Sequence, residues 1–284
     1  MAEPAIGLFG LGLIGSAVAG RLLAAGYALR GCDPDAARGL DLERAGGTVC
    51  TAPEVWQADV VFSCVFDTDQ LERLIDAAPQ AGCTLVSLST CDPDRMQGLA
   101  DKAAQKGITL IEMPVSGTSR ALANGSALLL IAGCKDTAAR IDPILSAICA
   151  NRLHVGGIGN GNRAKLAINL VLGLNRAALA EGMVFANALG LSSQEFLDMA
   201  RVSAARSEVM DAKGPLMVAR DFTPQGRIAQ SLKDFTLIAE RGAARGQGLP
   251  FANRYLEMMR DAVARGEGDL DNAAVLLPIE RARP

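Results

Sequence analysis

The fold is decided by the stretch Ala5-Ile6-Gly7-Leu8-Phe9-Gly10-Leu11-Gly12-Leu13-Ile14-Gly15-Ser16. Its opening run, Ala5–Phe9, is uncharged and mostly apolar, which predicts a buried β-strand. The glycines that follow have the spacing G-x-G-x-x-G, and an apolar helix, predicted over Ser16–Ala25, leaves them. A strand, a glycine-rich turn of this spacing and a helix are the parts of a dinucleotide-binding βαβ unit. The residues predicted to bind the cofactor pyrophosphate are Gly10, Leu11, Gly12, Leu13, Ile14 and Gly15.

Short β-rich runs continue to alternate with helical stretches over about the first 155 residues. Several of these runs are apolar on both faces, as expected for strands that helices cover from both sides. The order βαβαβ predicts an N-terminal α/β domain with a doubly wound parallel sheet, the Rossmann arrangement. The predicted strands are Ala5–Phe9, Tyr27–Cys32, Thr48–Cys50, Val60–Val65, Thr84–Leu88, Ile108–Glu112, Ala127–Ala132 and Leu153–Val155.

The pattern changes after Asn162, where no further strand is predicted. Ala164–Leu189 is a long helix made almost wholly of apolar residues, and such a helix must be covered by other protein. Three later stretches, Ser193–Val209, Ile228–Ala244 and Asn253–Arg265, are helical by period. We therefore predict a dinucleotide-binding domain over residues 1–161 and an all-α domain over residues 162–284. The second domain is expected to complete the substrate site and to form a homo-oligomer, a dimer or a tetramer.

The overall charge argues against two classes of partner. The chain has 284 residues, a net charge of −3 and only 4% aromatic residues. No basic stripe is present, so we expect neither nucleic acid nor a membrane as a partner. The uncharged stretch Pro4–Gly20 has the hydropathy of a membrane span, but Glu3 precedes it and its glycines are dense, which argues against a signal or a span.

The cysteine and histidine content predicts a reducing compartment and no metal site. The seven cysteines are odd in number and include no Cys-x-x-Cys pair. This pattern is typical of cysteines that serve as small buried apolar residues in the reducing cytoplasm. The chain has a single histidine, His154, which argues against a zinc site.

Asp33 ends the second predicted strand, 23 residues after Gly10. A carboxylate there is placed to accept hydrogen bonds from an adenosine ribose, and it repels a 2′-phosphate. Because no arginine follows before Arg38, the sequence favours NAD over NADP. An aspartate directly before Pro34 is also a good helix N-cap, so Asp33 has two interpretations.

Lys165 and Asn169 form a polar pair on an otherwise apolar helix. They are one turn apart and therefore share a face. The alternative for Lys165 is an ordinary lysine whose ammonium reaches solvent from the first helical turn. Transfer of a hydride to a carbonyl needs a proton donor, and His154, in a short β run, is the less suitable candidate. Lys165 is therefore the predicted proton-transfer residue.

With these residues in place, the chain resembles the β-hydroxyacid dehydrogenase family over essentially its whole length. That family includes 3-hydroxyisobutyrate dehydrogenase and tartronate semialdehyde reductase, and it is related to 6-phosphogluconate dehydrogenase. Four short motifs carry the resemblance, and they are specific only in combination. They are Phe9-Gly10-Leu11-Gly12-Leu13-Ile14-Gly15, Pro114-Val115-Ser116-Gly117, Gly159-x-Gly161-x-x-x-Lys165-x-x-x-Asn169 and Lys233-Asp234.

The resemblance implies an NAD-dependent enzyme that interconverts a small β-hydroxyacid and its semialdehyde or keto form. It implies that Lys165 is the general acid/base and that Asn169 orients the substrate. Ser116 and Gly117 would hold the substrate carboxylate, with Thr118 beside them. The cofactor contacts implied are Val65 and Phe66 on the adenosine side, Thr90 at the nicotinamide ribose, and Lys233 from the helical domain.

Two departures from the family pattern concern the substrate pocket. Thr118 stands where the family commonly has a second glycine, so a side chain there narrows the pocket or adds a hydroxyl contact. Pro224-Gln225-Gly226-Arg227 stands where the family often has Pro-Gly-Phe. The aromatic side chain is lost, and Arg227 is either a partner for an extra anionic group or an ordinary surface arginine.

Two other functions remain open at this point. One is imine reduction on the same scaffold, although those relatives generally carry Asp or Tyr at the position of Lys165 and prefer NADPH. The other is a sensor that binds NAD(H) without turnover, which the retained Lys165 and Asn169 argue against.

Overall fold

The computed structural model describes residues 4–282, and its contacts divide the chain into two compact units. The first unit extends through Lys165 and the second begins at Leu166. The division falls within one continuous helix, Asn160–Ala188, four residues beyond the predicted boundary at 161/162.

The first unit is built on a sheet of nine strands. Their order is β3-β2-β1-β4-β5-β6-β8-β7, and β9 pairs with β8. The six strands from β3 to β6 are all parallel, in the order of a dinucleotide-binding Rossmann fold. The strands are β1 (Ile6–Phe9), β2 (Leu29–Cys32), β3 (Thr48–Val49), β4 (Val60–Ser63), β5 (Thr84–Ser87), β6 (Thr109–Glu112), β7 (Val115–Ser116), β8 (Leu128–Ala132) and β9 (Arg152–Gly156).

Helices cover both faces of this sheet, because the central strands are apolar at successive positions. In β4, Val60 and Phe62 belong to one hydrophobic core, whereas Val61 belongs to the core on the opposite face. Alternate residues of a strand point to opposite faces, so each face needs its own helical layer. The helices of the first unit are α1 (Leu13–Ala24), α2 (Ala36–Arg44), α3 (Ala52–Val55), α4 (Thr68–Asp76), α5 (Met96–Ala104), α6 (Ser119–Ala123), α7 (Lys135–Arg140) and α8 (Asp142–Ile148).

The doubly wound α/β fold is confirmed, with an antiparallel extension at one edge that was not predicted. Each predicted strand is present, with its ends within two residues of the prediction. The two-residue strand β7 was missed, and β8 pairs antiparallel with both β6 and β7. A strand of two residues is too short to show an alternating hydrophobic pattern, so β7 could not be recognised in the sequence. The antiparallel direction of β8 depends on how the chain reverses after β6.

The second unit is all-α, as predicted. Within its described residues, 166–282, the structure contains no strand, only an isolated bridge between Arg227 and Asp271. Its helices are the C-terminal part of α9 (Asn160–Ala188), α10 (Ser193–Val202), α11 (Glu208–Ala212), α12 (Gly214–Ala219), α13 (Ile228–Ala243), α14 (Pro250–Ala264) and α15 (Leu276–Arg281).

Two helix predictions in this unit need correction. The stretch Ser193–Val209 is not one helix, because α10 ends at Val202. The Ser203 hydroxyl donates to the Ala200 carbonyl oxygen at 2.9 Å and accepts the Ala205 N–H at 3.1 Å. These side-chain hydrogen bonds compete with those of a continuing helix. Helix α14 begins at Pro250 rather than Asn253, because proline is favoured in the first turn of a helix.

Helix α9 is the longest element of the chain. Among the described residues it is the one helix long and apolar enough to cross a membrane by length and composition, and 28% of its most apolar stretch is buried. A core helix of a soluble protein passes the same test. It is also the helix that carries Lys165 and Asn169.

Candidate active site

The predicted cofactor residues of the first unit gather at one edge of the sheet. In parallel strands all carboxyl ends lie at the same edge, which is where Rossmann folds bind their ligands. The glycine turn follows β1, Asp33 follows β2, Val65 and Phe66 follow β4, and Thr90 follows β5. Phe66 is exposed and Thr90 is buried.

The three glycines of the turn differ in what surrounds them. Gly10 has φ +83°, and a Cβ there would lie 2.6 Å from the Cys64 carbonyl oxygen. A Cβ at Gly15 would lie 1.8 Å from the Gly10 carbonyl oxygen. Both positions therefore exclude every other residue. At Gly12 the nearest atom to a Cβ is an Arg38 nitrogen at 3.6 Å, so the backbone of the turn is open to a ligand on this side.

Helix α1 begins directly at this turn, three residues before its predicted start at Ser16. Gly12 is the N-cap and supplies no side-chain hydrogen bond to the first helical turn. Helix N-termini attract anions, because their N–H groups lack partners within the helix. The open backbone at Gly12 and the uncapped helix together fit a dinucleotide pyrophosphate.

Asp33 is 4% exposed at its side chain and is bound to the glycine turn. Its Oδ2 accepts the Leu11 N–H at 2.7 Å, and its Oδ1 accepts the Asp35 N–H at 2.8 Å. Arg38 lies 3.3 Å from the same carboxylate. The N-cap of α2 is Asp35, not Asp33, so the helix-capping interpretation was wrong. The ribose contact of Asp33 stays a prediction.

The predicted substrate loop lies at the antiparallel edge of the sheet. Ser116 ends β7, and Gly117 has φ +138°, a conformation that side chains disfavour. The Thr118 hydroxyl accepts the Ala121 N–H at 3.1 Å and is the N-cap of α6. The extra hydroxyl at position 118 therefore has a structural role, which the sequence did not indicate.

Sequence reasoning missed Glu112, a fully buried carboxylate at the end of β6. Its Oε1 accepts the Gly159 N–H, and its Oε2 accepts the Asn162 backbone N–H at 3.0 Å and side-chain amide at 2.6 Å. The side-chain Oδ1 of Asn162 in turn accepts the Cys91 backbone N–H at 2.7 Å. This network joins the start of α9 to the segment that follows Thr90.

The ionisation of Glu112 reflects two opposing effects. Burial raises the pKa of its carboxyl, while the hydrogen bonds from Gly159 and Asn162 lower it, and burial has the larger effect. A charged residue in the apolar strand Thr109–Glu112 was the available signal. Its partner lies 50 residues away, so the sequence could not identify the pair.

Lys165 is 6% exposed in the second turn of α9 and is thus a buried lysine rather than a surface one. The interpretation as an ordinary solvent-reaching lysine is therefore wrong. Asn169 follows one turn later on the same helix. The Glu112 network binds Gly159 and Asn162, which lie six and three residues before Lys165, and holds the first turn of this helix in place.

In the second unit, Asn169 pairs with Asp234, a residue of the Lys233-Asp234 motif for which the sequence analysis predicted no role of its own. Its Nδ2 donates to Asp234 Oδ2 at 2.8 Å. Asp234 is buried, and the ammonium of the adjacent Lys233 lies 3.0 Å from Asp234 Oδ1. The pair Lys233-Asp234 is therefore not an ordinary solvated pair on a helix surface.

Two further candidates lie outside these clusters. Arg227 is half-exposed and pairs with Asp269 at 3.3 Å, which fits a surface arginine. His154 is exposed on β9, where its Nε2 lies 3.2 Å from the Gly133 carbonyl oxygen. Neither lies among the hydrogen-bonded groups described above.

Comparison with known proteins shows an NAD(P)-dependent oxidoreductase that acts on CH–OH groups. Residues 5–157 match the model of the NAD-binding domain of 6-phosphogluconate dehydrogenase. Residues 159–279 match the NAD-binding model of NADP-dependent 3-hydroxyisobutyrate dehydrogenase. The chain belongs to the β-hydroxyacid dehydrogenase family, as the sequence motifs predicted.

Individual relatives agree with this assignment. The chain is 30% identical to a probable 3-hydroxyisobutyrate dehydrogenase-like protein of Arabidopsis thaliana, over 97% of this chain and 85% of that protein. It is 27% identical to 2-hydroxy-3-oxopropionate reductase of Escherichia coli, over 97% of both chains. A solved 3-hydroxyisobutyrate dehydrogenase of Mycobacterium tuberculosis, with L-serine, has 27% identity and a TM-score of 0.84, covering 99% of this chain and 100% of its own.

Proposed function

We propose that this enzyme uses NAD to interconvert a small β-hydroxyacid and its semialdehyde or keto form, with Lys165 as the general acid/base. The observation that carries the proposal is the burial of Lys165 on α9, one turn from Asn169. A buried ammonium is costly, and such lysines are well suited to proton transfer. The names of the relatives support a small hydroxyacid as the substrate.

When bound, the nicotinamide supplies the hydride acceptor or donor. On oxidation, the neutral Lys165 amine takes the hydroxyl proton while the carbon loses its hydride; on reduction, the ammonium returns that proton to the oxygen. Ser116 and the backbone of Gly117 hold the substrate carboxylate. Asp234 fixes the Asn169 amide, so that the Asn169 Oδ1 accepts a hydrogen bond from the substrate hydroxyl or from Lys165.

We further propose a preference for NAD over NADP. The negative charge of Asp33 at the end of β2 repels a 2′-phosphate. Arg38, the first arginine that follows, lies within 3.3 Å of both Asp33 and Asp35, so its charge is already compensated. One matching family model is described as that of an NADP-dependent enzyme. Activity with NAD and activity with NADP must therefore be measured side by side.

A substrate screen with NAD and NADP in parallel tests the function. The proposal predicts oxidation of a small β-hydroxyacid, and a higher kcat/KM with NAD. Turnover of cyclic imines but of no hydroxyacid would favour imine reduction. A solved imine reductase shares the fold, with a TM-score of 0.69, but it is only 20% identical in sequence. Binding of NADH without any turnover would favour a sensor.

We also propose that the chain is a cytoplasmic homo-oligomer, covered along α9 by a second copy. This helix exposes Val171 at 58% and Phe185 at 63%, and Leu189, directly after its last residue, is 66% exposed. Large exposed apolar side chains on and next to one helix favour coverage by a partner surface. The buried Lys165 on the same helix argues against a lipid-spanning role. Light scattering coupled to gel filtration tests the assembly, and a monomer at micromolar concentration would contradict it.

A further inference from the structure

Arg176 is a buried cation that the proposed reaction does not use. It lies on α9 and is 7% exposed. Its Nε has no hydrogen-bond partner, and no carboxylate among the described residues 4–282 forms an ion pair with it. A guanidinium keeps its charge throughout the physiological pH range, so it cannot escape burial by losing a proton. A buried charge of this kind normally has a counter-ion.

The guanidinium lies back along the helix toward Asn169. A Cβ built on Gly173 would lie 3.5 Å from the Arg176 Nη2, so the charged group reaches the turn before its own Cα. The Tyr255 ring lies beside it, with its centroid 6.0 Å from the guanidinium carbon. The Phe235 ring packs on Gly173 and on Tyr255. Because Gly173 has no side chain, these groups share the space above its Cα.

The nearby buried ion pair does not neutralise Arg176. Lys213 Nζ lies 2.7 and 2.9 Å from the two carboxylate oxygens of Asp271. Asp271 also accepts backbone N–H groups of Gln225, Gly226 and Ala273. Burial lowers the pKa of Lys213 against the effect of Asp271, and the charge of Arg176 lowers it further. The Asp271 carboxylate is thus the ion-pair partner of Lys213 and the acceptor of several N–H groups, and it forms no ion pair with Arg176.

We propose that Arg176 binds a second anionic group of the substrate, so that the preferred hydroxyacid is a dicarboxylate. This inference rests on the proposed function. Gly173 is one turn from Asn169, about 6 Å along the helix axis. With carbon–carbon bonds of about 1.5 Å, a chain of about four to six carbon atoms spans from the Asn169 amide to the guanidinium. The proposal thus names both the charge and the length of the substrate.

The test compares substrates that differ in one charge. The probes are 2-(hydroxymethyl)pentanedioate, its monoamide at the distal carboxylate, and 3-hydroxyisobutyrate, which lacks the distal group. A hydrogen-bonded charge contributes enough to predict a kcat/KM about 10- to 100-fold higher for the dianion than for the monoamide. In Arg176→Met this ratio falls to about one. In Arg254→Met, an exposed arginine of α14, the ratio stays at the wild-type value.

The outcomes separate this proposal from the function on which it rests. Oxidation of all three probes with equal kcat/KM for dianion and monoamide overturns the Arg176 subsite and leaves the dehydrogenase proposal standing. Oxidation of none of them overturns both. If Arg176→Met does not fold, Arg176→Lys retains the charge but loses the planar fork, and the ratio falls to an intermediate value. The subsite is also contradicted if Arg176→Lys keeps the wild-type ratio of kcat/KM for dianion and monoamide, and if pentanedioate inhibits the wild-type enzyme only weakly.

Discussion

Replacing Glu112 by alanine should destabilise the first unit and displace the helix that carries Lys165. Three buried donors lose their acceptor: the Gly159 N–H, and the backbone and side-chain N–H groups of Asn162. Each unsatisfied buried group costs about 1–3 kcal/mol. Removal of a desolvated carboxylate offsets part of this cost, so we expect a loss of about 3 kcal/mol. That loss corresponds to a decrease in Tm of about 6–12 °C.

The assay is urea and thermal unfolding of wild type, Glu112→Ala and Glu112→Gln, with kcat measured on the same samples. Glutamine keeps the side-chain volume and one acceptor oxygen, so Glu112→Gln should lose less stability than Glu112→Ala. Because burial raises the folded-state pKa of Glu112, its contribution to stability is fully present below the unfolded-state pKa and is lost as pH rises through the folded-state pKa. The alanine variant should therefore lose more stability at acidic than at neutral pH. If Glu112→Ala lowers the free energy of unfolding by less than about 1 kcal/mol at both pH values, the reasoning is refuted.

Two other predictions concern the site and the cysteines. Asp234→Ala releases the Asn169 amide and should lower kcat/KM about 10- to 100-fold, since hydrogen bonds to charged groups contribute about 1.5–3 kcal/mol; unchanged steady-state kinetics would contradict this role. A thiol reagent near neutral pH should modify Cys134 first, because it is exposed and hydrogen bonds from Thr137 lower the pKa of its thiol. Burial raises the pKa of Cys64 to about 12, so mass spectrometry should find Cys64 unmodified in the native protein.

The parallel sheet was predictable because its signals are local. Apolar runs and the glycine turn at Gly10 report the β-strand, the turn and the helix within a few neighbouring residues. The antiparallel edge was not predictable, because β7 has two residues and its direction depends on contacts with β8. The break after Val202 was also missed, since Ser203 ends the helix through hydrogen bonds of its own side chain rather than through glycine or proline.

The residues of the candidate site could be predicted only where a sequence motif contains them. Lys165 and Asn169 stand one turn apart in the sequence as they do on the helix. Glu112 and Arg176 were not selected, and Asp234 was named only as part of the Lys233-Asp234 motif, because their contacts are with groups distant in the chain. Asp234 meets Asn169 across 65 residues. Such pairings arise from packing, which a single sequence does not record.

The role of Lys165 is the central claim, and one experiment tests it most directly. NADH binding is measured by fluorescence, and kcat is measured with the best hydroxyacid from the screen, for wild type and Lys165→Ala. The account predicts that the variant binds NADH like the wild type and that kcat falls about 10²- to 10⁴-fold, as expected for loss of a general acid/base. A variant that binds NADH and retains a near-normal kcat would show that the proton passes through another group.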